Sequence, residues 1–143
     1  MRCTSVPFVD TSVLLYAVSH EPGEHAKATR ANEILDARDV ELSVQVLQEF
    51  YVQATRSTRP DPLPHDQAVA FVETLLGFRV QELSTQIVRT ALATRERFGI
   101  SYWDAAILEA ARALGCDVVL SEDLADGQDY DGVRVENPFH DVV

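Results

Sequence analysis

The chain has 143 residues, 46% of them hydrophobic and 24% charged, the size and composition of one soluble globular unit that buries roughly 70% of its unfolded surface. No apolar run reaches the roughly 18 to 20 residues of a bilayer span, and Met1 to Asp10 lacks the basic start and apolar stretch of a secretory leader; one domain over 1–143, in the cytoplasm, is the expectation. The net charge of −11, from 23 acidic and 12 basic residues, disfavours extended salt-driven binding to DNA but suits a site that gathers cations, or a basic partner.

Val6 to Val9 reads as a short strand ending at Asp10, with Thr11 and Ser12 placed to cap a helix through Val13 to Val18. Glu24 to Arg38 carries Ala28, Ala31, Ile34 and Leu35 at amphipathic spacing. A strand around Leu42 to Val44 follows, then a helix from Gln45 to Thr55, ended by the proline-rich loop RSTRPDPLPH. A helix over His65 to Leu76 stops at Gly77, Phe78 to Leu83 resembles a strand, and a helix over Thr85 to Phe98 is closed by Gly99. Ser101 starts YWDAAILEAARALG, which ends at Gly115; DVVL then leads into Ser121-Glu122-Asp123, and Val133 to Val135 is the last strand. Alternating strands and helices predict an α/β fold whose mostly parallel sheet is covered on both faces, with any site at the carboxyl ends of the strands.

Cys3 and Cys116 form no CxxC pair, and His20, His25, His65 and His140 show no ligand spacing. Two free thiols and four surface histidines are expected, rather than a zinc site or a disulfide framework.

The acids carry more information. Asp10 stands at the end of the first strand, Asp104 in the first turn of a helix and Asp123 just after DVVL. Each also fits an ordinary role: a helix N-terminal charge worth about 0.3 to 1 kcal/mol, a capping-box neighbour of Ser101, and a turn residue. The helical wheel sets Glu109 and Arg112 on a wet face and turns Asp104 toward the body of the protein. Glu49, within QVLQEFYVQATR, is the least distinctive, since a mid-helix glutamate usually faces solvent. If Ser121 to Asp123 stays extended, Ser121 and Asp123 share one side and Glu122 takes the other. Carboxylates drawn together repel unless a cation neutralises them, and all-oxygen ligands favour Mg²⁺ or Mn²⁺. Such a centre polarises phosphate and activates water, so phosphodiester hydrolysis is the natural reaction class.

In chain order, VDTSVLLYA, LQEF, YWDAAILEAA and VVLSEDLADG, with the closing GVRVENPF, resemble the motifs of PIN-domain ribonucleases, especially VapC-like toxins. The resemblance covers essentially the whole chain and implies a three-layer α/β/α domain that cleaves RNA with Mg²⁺ or Mn²⁺. It assigns the four acids to Asp10, Glu49, Asp104 and Asp123, and the supporting hydroxyls to Thr11 or Ser12 and to Ser121. Where the family commonly has TxD at the last site this chain has SED, which leaves the part of Glu122 open. The resemblance further implies a homodimer inhibited by a small antitoxin, whose Arg or Lys side chains suit the acidity of this chain.

Three other readings stand beside it. A haloacid-dehalogenase-like phosphatase needs a second aspartate where Ser12 stands. A structure-specific or single-strand DNA nuclease of the same superfamily would use an extra helical arch for which 143 residues leave little room, and the presence of all four acids argues against a non-catalytic PIN-like interaction module.

Overall fold

A computed structural model describes residues 6–142. In chain order the elements are β1 (Phe8–Val9), α1 (Thr11–Ala17), a 3-10 turn (Pro22–Glu24), α2 (His25–Asp36), β2 (Glu41–Ser43), α3 (Val44–Ala54) and α4 (His65–Leu75). They continue with β3 (Arg79–Gln81), α5 (Thr85–Phe98), α6 (Tyr102–Leu114), β4 (Val118–Leu120), β5 (Asp129–Tyr130) and β6 (Val133–Glu136). The starts of α1, α3, α5 and α6 follow short polar side chains. Ser43, Ser84 and Ser101 each accept a hydrogen bond from the backbone N–H three residues on, which satisfies a donor that the first turn leaves open. Gly99 and Gly115 close α5 and α6 at φ of 69° and 85°, left-handed conformations that glycine adopts without a Cβ penalty.

The six strands lie in the order β3-β2-β1-β4-β6-β5. All neighbours are parallel except β5 and β6. The steps β1 to β2 and β2 to β3 move outward in one direction, whereas β3 to β4 crosses back over them. Right-handed crossovers therefore put α1 to α4 on one face and α5 with α6 on the other. The packing agrees: α1 meets α2 and α3, α3 meets α4, and α6 lies over β2, β3, β4 and β6 with α5 against it. The expected three-layer α/β/α architecture is present. Its core is built from strand residues Phe8, Val9, Leu42, Val119, Val133 and Val135 and helix residues Val13, Leu14, Val46, Phe50 and Leu108, all buried. Burial this complete, at about 25 cal/mol per Å² of apolar surface, is what holds such short strands in place.

Three sequence expectations change. Helix α1 begins at Thr11, not Val13, because Asp10 is itself the N-cap and its carboxylate accepts from the Thr11 N–H. The segment after Asp123 holds a hairpin, β5 and β6, around Asp131-Gly132, both at positive φ. An Asp-Gly pair between two strand residues is a sequence signal for such a turn. The wheel also misplaces Glu109, which is 5% exposed. Its carboxylate accepts from Thr94 Oγ1 at 2.7 Å and from Arg112 Nε at 3.1 Å, while Arg112 donates to the carbonyls of Tyr130 and Asp131. A one-sided wheel assumes one packed neighbour, and α6 has two, the sheet and α5. Every residue from Ala105 to Ala111 is consequently buried.

The four histidines are exposed, as expected. Cys116 is a free, buried thiol that donates to Glu41 Oε1, and Cys3 lies outside the described residues. Among the described residues no helix is long and apolar enough to cross a membrane.

Candidate functional site

β1 and β4 are neighbours, with Val9 opposite Leu120. The chain leaves β1 toward β2 and leaves β4 toward β6, on opposite sides. Such a reversal opens a crevice at the carboxyl ends of the two strands, where open α/β sheets bind ligands. Asp10 follows β1 directly, and its N–H donates to the Leu120 carbonyl at 3.0 Å. Its carboxylate accepts from Thr11 N–H and from Ser121 Oγ, each at 2.7 Å. The Ser121 hydroxyl oxygen in turn accepts from the N–H groups of Asp123 and Leu124, at 3.0 and 3.2 Å. One hydroxyl thus joins the two strand ends and folds residues 121–124 into a bend. Strand β4 stops at Leu120, so the extended continuation considered for Ser121 to Asp123 is not formed.

Glu49 reaches the crevice from α3. Its two oxygens accept from Thr11 Oγ1 at 2.7 Å and from Gln45 Nε2 at 3.1 Å. Gln45, one helical turn before Glu49, also donates to the Trp103 carbonyl at the start of α6, and Asp104 follows Trp103. Glu49 therefore does not point freely into solvent, and the side chain that aims it is one the sequence reading did not single out. A glutamine one helical turn before a glutamate was the available signal. Asp104 itself sits in the first turn of α6, its N–H bonded to Ser101 Oγ at 3.1 Å.

The electrostatics point in one direction. Burial, helped by the charges of Glu49 and Asp123, pushes the Asp10 carboxyl up to about 6 against the hydrogen bonds from Ser121 and Thr11. Burial also raises Asp104, against the bond to Ser101, with Glu49 adding to the rise. It raises Asp123 too, together with the charges of Glu122, Asp104 and Glu49. The four acids thus sense one another, and among the described residues none of them has a Lys, Arg or His ion-pair partner. Nor do any three His, Cys, Asp or Glu side chains among those residues stand close enough together to enclose a metal ion. A cation placed among the four acids would relieve the repulsion that raises these carboxyls. Hard oxygen donors with no competing cation fit Mg²⁺ or Mn²⁺, and Mg²⁺ keeps several waters rather than demanding an all-protein cage.

Glu122 is turned away from this group toward α1 and α2. Tyr16 Oη and Lys27 Nζ donate to its two oxygens, both at 2.5 Å, and its N–H donates to Ser12 Oγ at 3.1 Å. Burial opposes its charge, but Lys27 and Tyr16 outweigh that and hold its carboxyl below the usual range. Ser12 therefore steadies the bend through Glu122, whereas Thr11 and Ser121 bond the acids directly.

The PIN domain family profile matches residues 8–125, a span that contains all four acids. The chain belongs to the PIN domain family. Among solved structures this PIN domain resembles a toxin-antitoxin complex from Klebsiella pneumoniae, with a TM-score of 0.66 and 20% identity over 92% of this chain and 97% of the other. It also resembles VapC20 from Mycobacterium tuberculosis, a sarcin-ricin loop cleaving toxin, with a TM-score of 0.64 and 22% identity over 81% and 88%. A third likeness is to DNA-bound VapBC from Salmonella typhimurium, with a TM-score of 0.66 and 20% identity over 94% and 99%. No curated protein matches the sequence. At these identities the structural likeness is one of fold.

The Thr11 to Glu49 bond gives a direct test of how the site is aimed. Thr11→Val keeps the buried shape but removes the donor, and is expected to lower metal affinity or activity about 10-fold, the usual cost of losing a ligand-orienting bond. Thr11→Ser should stay within about 2-fold of the parent. Titration with Mn²⁺ followed by electron paramagnetic resonance measures the affinity, and equal affinity for the parent and the valine variant would refute the role given to Thr11.

Proposed function

We propose that this PIN domain is an endoribonuclease that hydrolyses RNA phosphodiester bonds with Mg²⁺ or Mn²⁺, and that it is the toxin of a toxin-antitoxin pair. The observation that carries the reading is the set of four acids, Asp10, Glu49, Asp104 and Asp123, brought to one switch point from four chain segments without a Lys, Arg or His ion-pair partner among the described residues. In this reading all four hold metal and are catalytic, with Thr11, Ser12 and Ser121 supporting them. A bound divalent cation supplies Lewis-acid polarisation of phosphate and a more acidic water. The chain's own residues then do the positioning. Ser121 keeps Asp10 and Asp123 in register, and Thr11 and Gln45 aim Glu49.

The fold likeness to toxin-antitoxin assemblies from Klebsiella pneumoniae and Salmonella typhimurium supports a small cognate antitoxin as partner, and homodimerisation and a cytoplasmic location belong to the same reading. Purified protein incubated with single-stranded RNA and with DNA tests the activity. RNA cleavage with Mg²⁺ or Mn²⁺ that stops in chelator is the expected result. Full activity in chelator would rule out the metal centre, cleavage of DNA alone would favour the DNA nuclease, and no cleavage of either would favour a silent interaction module.

A further inference from the structure

A cleft of about 230 Å³ opens beside the acids, lined by Ser12, Tyr16, Gln53, Arg59, Glu122 and Asp123 among others. Asp123 is thus shared between the cleft and the carboxylate group. Arg59 comes from the loop between α3 and α4, where its N–H donates to the Arg56 carbonyl and Leu63 N–H donates to the Ala54 carbonyl. The proline at position 60 further restricts the backbone at Arg59. This loop is consequently a built wall of the cleft.

The cations near the cleft differ in what they already hold. The Lys27 ammonium is bound to Glu122 Oε2 and Tyr16 Oη. Among the described residues the Arg59 guanidinium has no hydrogen bond or ion pair, although the side chain is partly buried. Glu24, which also lines the cleft, is bonded to Ser19. In a chain of net charge −11, a partly buried arginine without a hydrogen-bond or ion-pair partner among the described residues, lining a cleft that it shares with Asp123, is suited to an anion brought by a ligand.

We propose that Arg59 binds a backbone phosphate of single-stranded RNA next to the one held at the carboxylates, so that the cleft is a substrate phosphate subsite. This rests on the nuclease reading above. Arginine meets phosphate through two parallel N–H groups, and a second fixed phosphate sets which way the strand runs past the acids. Such a contact positions the strand and carries no base code. Arg59 is in this sense a positioning residue.

The test measures binding and turnover separately. Fluorescence anisotropy of a labelled single-stranded RNA oligonucleotide, with calcium in place of magnesium, gives affinity between about 50 and 200 mM salt. For Arg59→Gln the slope of log affinity against log salt is expected to shrink by about 0.7, one phosphate contact on a single strand, with about 3- to 10-fold weaker binding. Arg59→Lys keeps the charge and should restore the slope. With Mg²⁺, Arg59→Gln should raise KM about 5-fold while kcat stays within about 2-fold, the pattern of lost uniform binding. Arg38→Gln is the control, since Arg38 precedes β2 at the opposite ends of the strands. An unchanged slope for Arg59→Gln, an equal drop for Arg38→Gln, or a parent that does not bind RNA would each overturn the subsite. A parent that binds RNA with the Arg59-dependent slope but never cleaves it would sink the nuclease reading and leave the phosphate contact standing.

Discussion

Asp10→Asn is expected to remove cleavage by about 100-fold or more and yet leave the metal-free protein at least as stable as its parent above pH 7. The two effects share one cause. Burial raises the Asp10 carboxyl from 3.8 to about 6, so the folded protein binds this proton more tightly than the unfolded chain does. Stability is therefore greatest, as far as this group is concerned, below pH 4, and falls as pH rises from about 4 to about 6. Above that the buried charge costs about 3 kcal/mol in the absence of metal. The amide of Asn carries no charge and keeps an acceptor for the Thr11 N–H. Its NH₂ group then meets Ser121 Oγ, which already accepts two backbone N–H groups, so part of the gain is lost. In chelator, the parent should melt lower at pH 7.5 than at pH 5.5 relative to Asp10→Asn, and added Mg²⁺ should stabilise the parent alone. A variant that melts far below the parent at pH 7.5 in chelator, or that still cleaves RNA at the native rate, would contradict the site. Asp104→Asn and Asp123→Asn should lose most activity as well, and Glu49→Gln somewhat less. Glu122→Gln acts only through the bend it anchors and should be milder.

Arg112→Ala carries the largest expected stability effect. It removes two bonds to the β5–β6 turn and strands the buried Glu109 carboxylate with only Thr94. Breaking a buried pair by removing one partner costs about 3 to 5 kcal/mol. Arg112 is 37% exposed on its side chain, so about 2 to 4 kcal/mol is expected. At this chain length that lowers Tm by roughly 5 to 15 °C. Removing both charges should recover part of the loss, because an apolar pair leaves no buried carboxylate behind; Glu109→Leu with Arg112→Met is the variant to compare. Thermal melts give the answer, and a double variant less stable than Arg112→Ala would show that the pair contributes through more than relief of the stranded charge. Glu109→Gln keeps an acceptor for Arg112 and should retain near-parent activity when folded, though for a different reason from the solvent exposure the wheel suggests.

Much of the architecture was legible in the chain because local rules govern it. Ser84 and Gly99 bound α5 at the residues where a cap and a left-handed stop are needed, and Ser101 and Gly115 do the same for α6. The short apolar runs at Phe8–Val9 and Val118–Leu120 read as strands, since neither is long enough to be a helix. The hairpin at Asp131-Gly132 was equally available from its turn residues.

By itself, then, the sequence determined the element types, the parallel α/β class and the positions of three acids at strand or helix ends, because capping, turn chemistry and hydrophobic period act over a few neighbouring residues. Tertiary structure alone decided the rest. It set Glu49 against Thr11, 38 residues away, and turned Glu122 to Lys27, 95 residues away. It buried Glu109 between two helices and brought Arg59 to a cleft that it shares with Asp123. These relations depend on strand order and on right-handed crossovers, which bring distant segments to one edge, and no local pattern records which distant partner a side chain will meet.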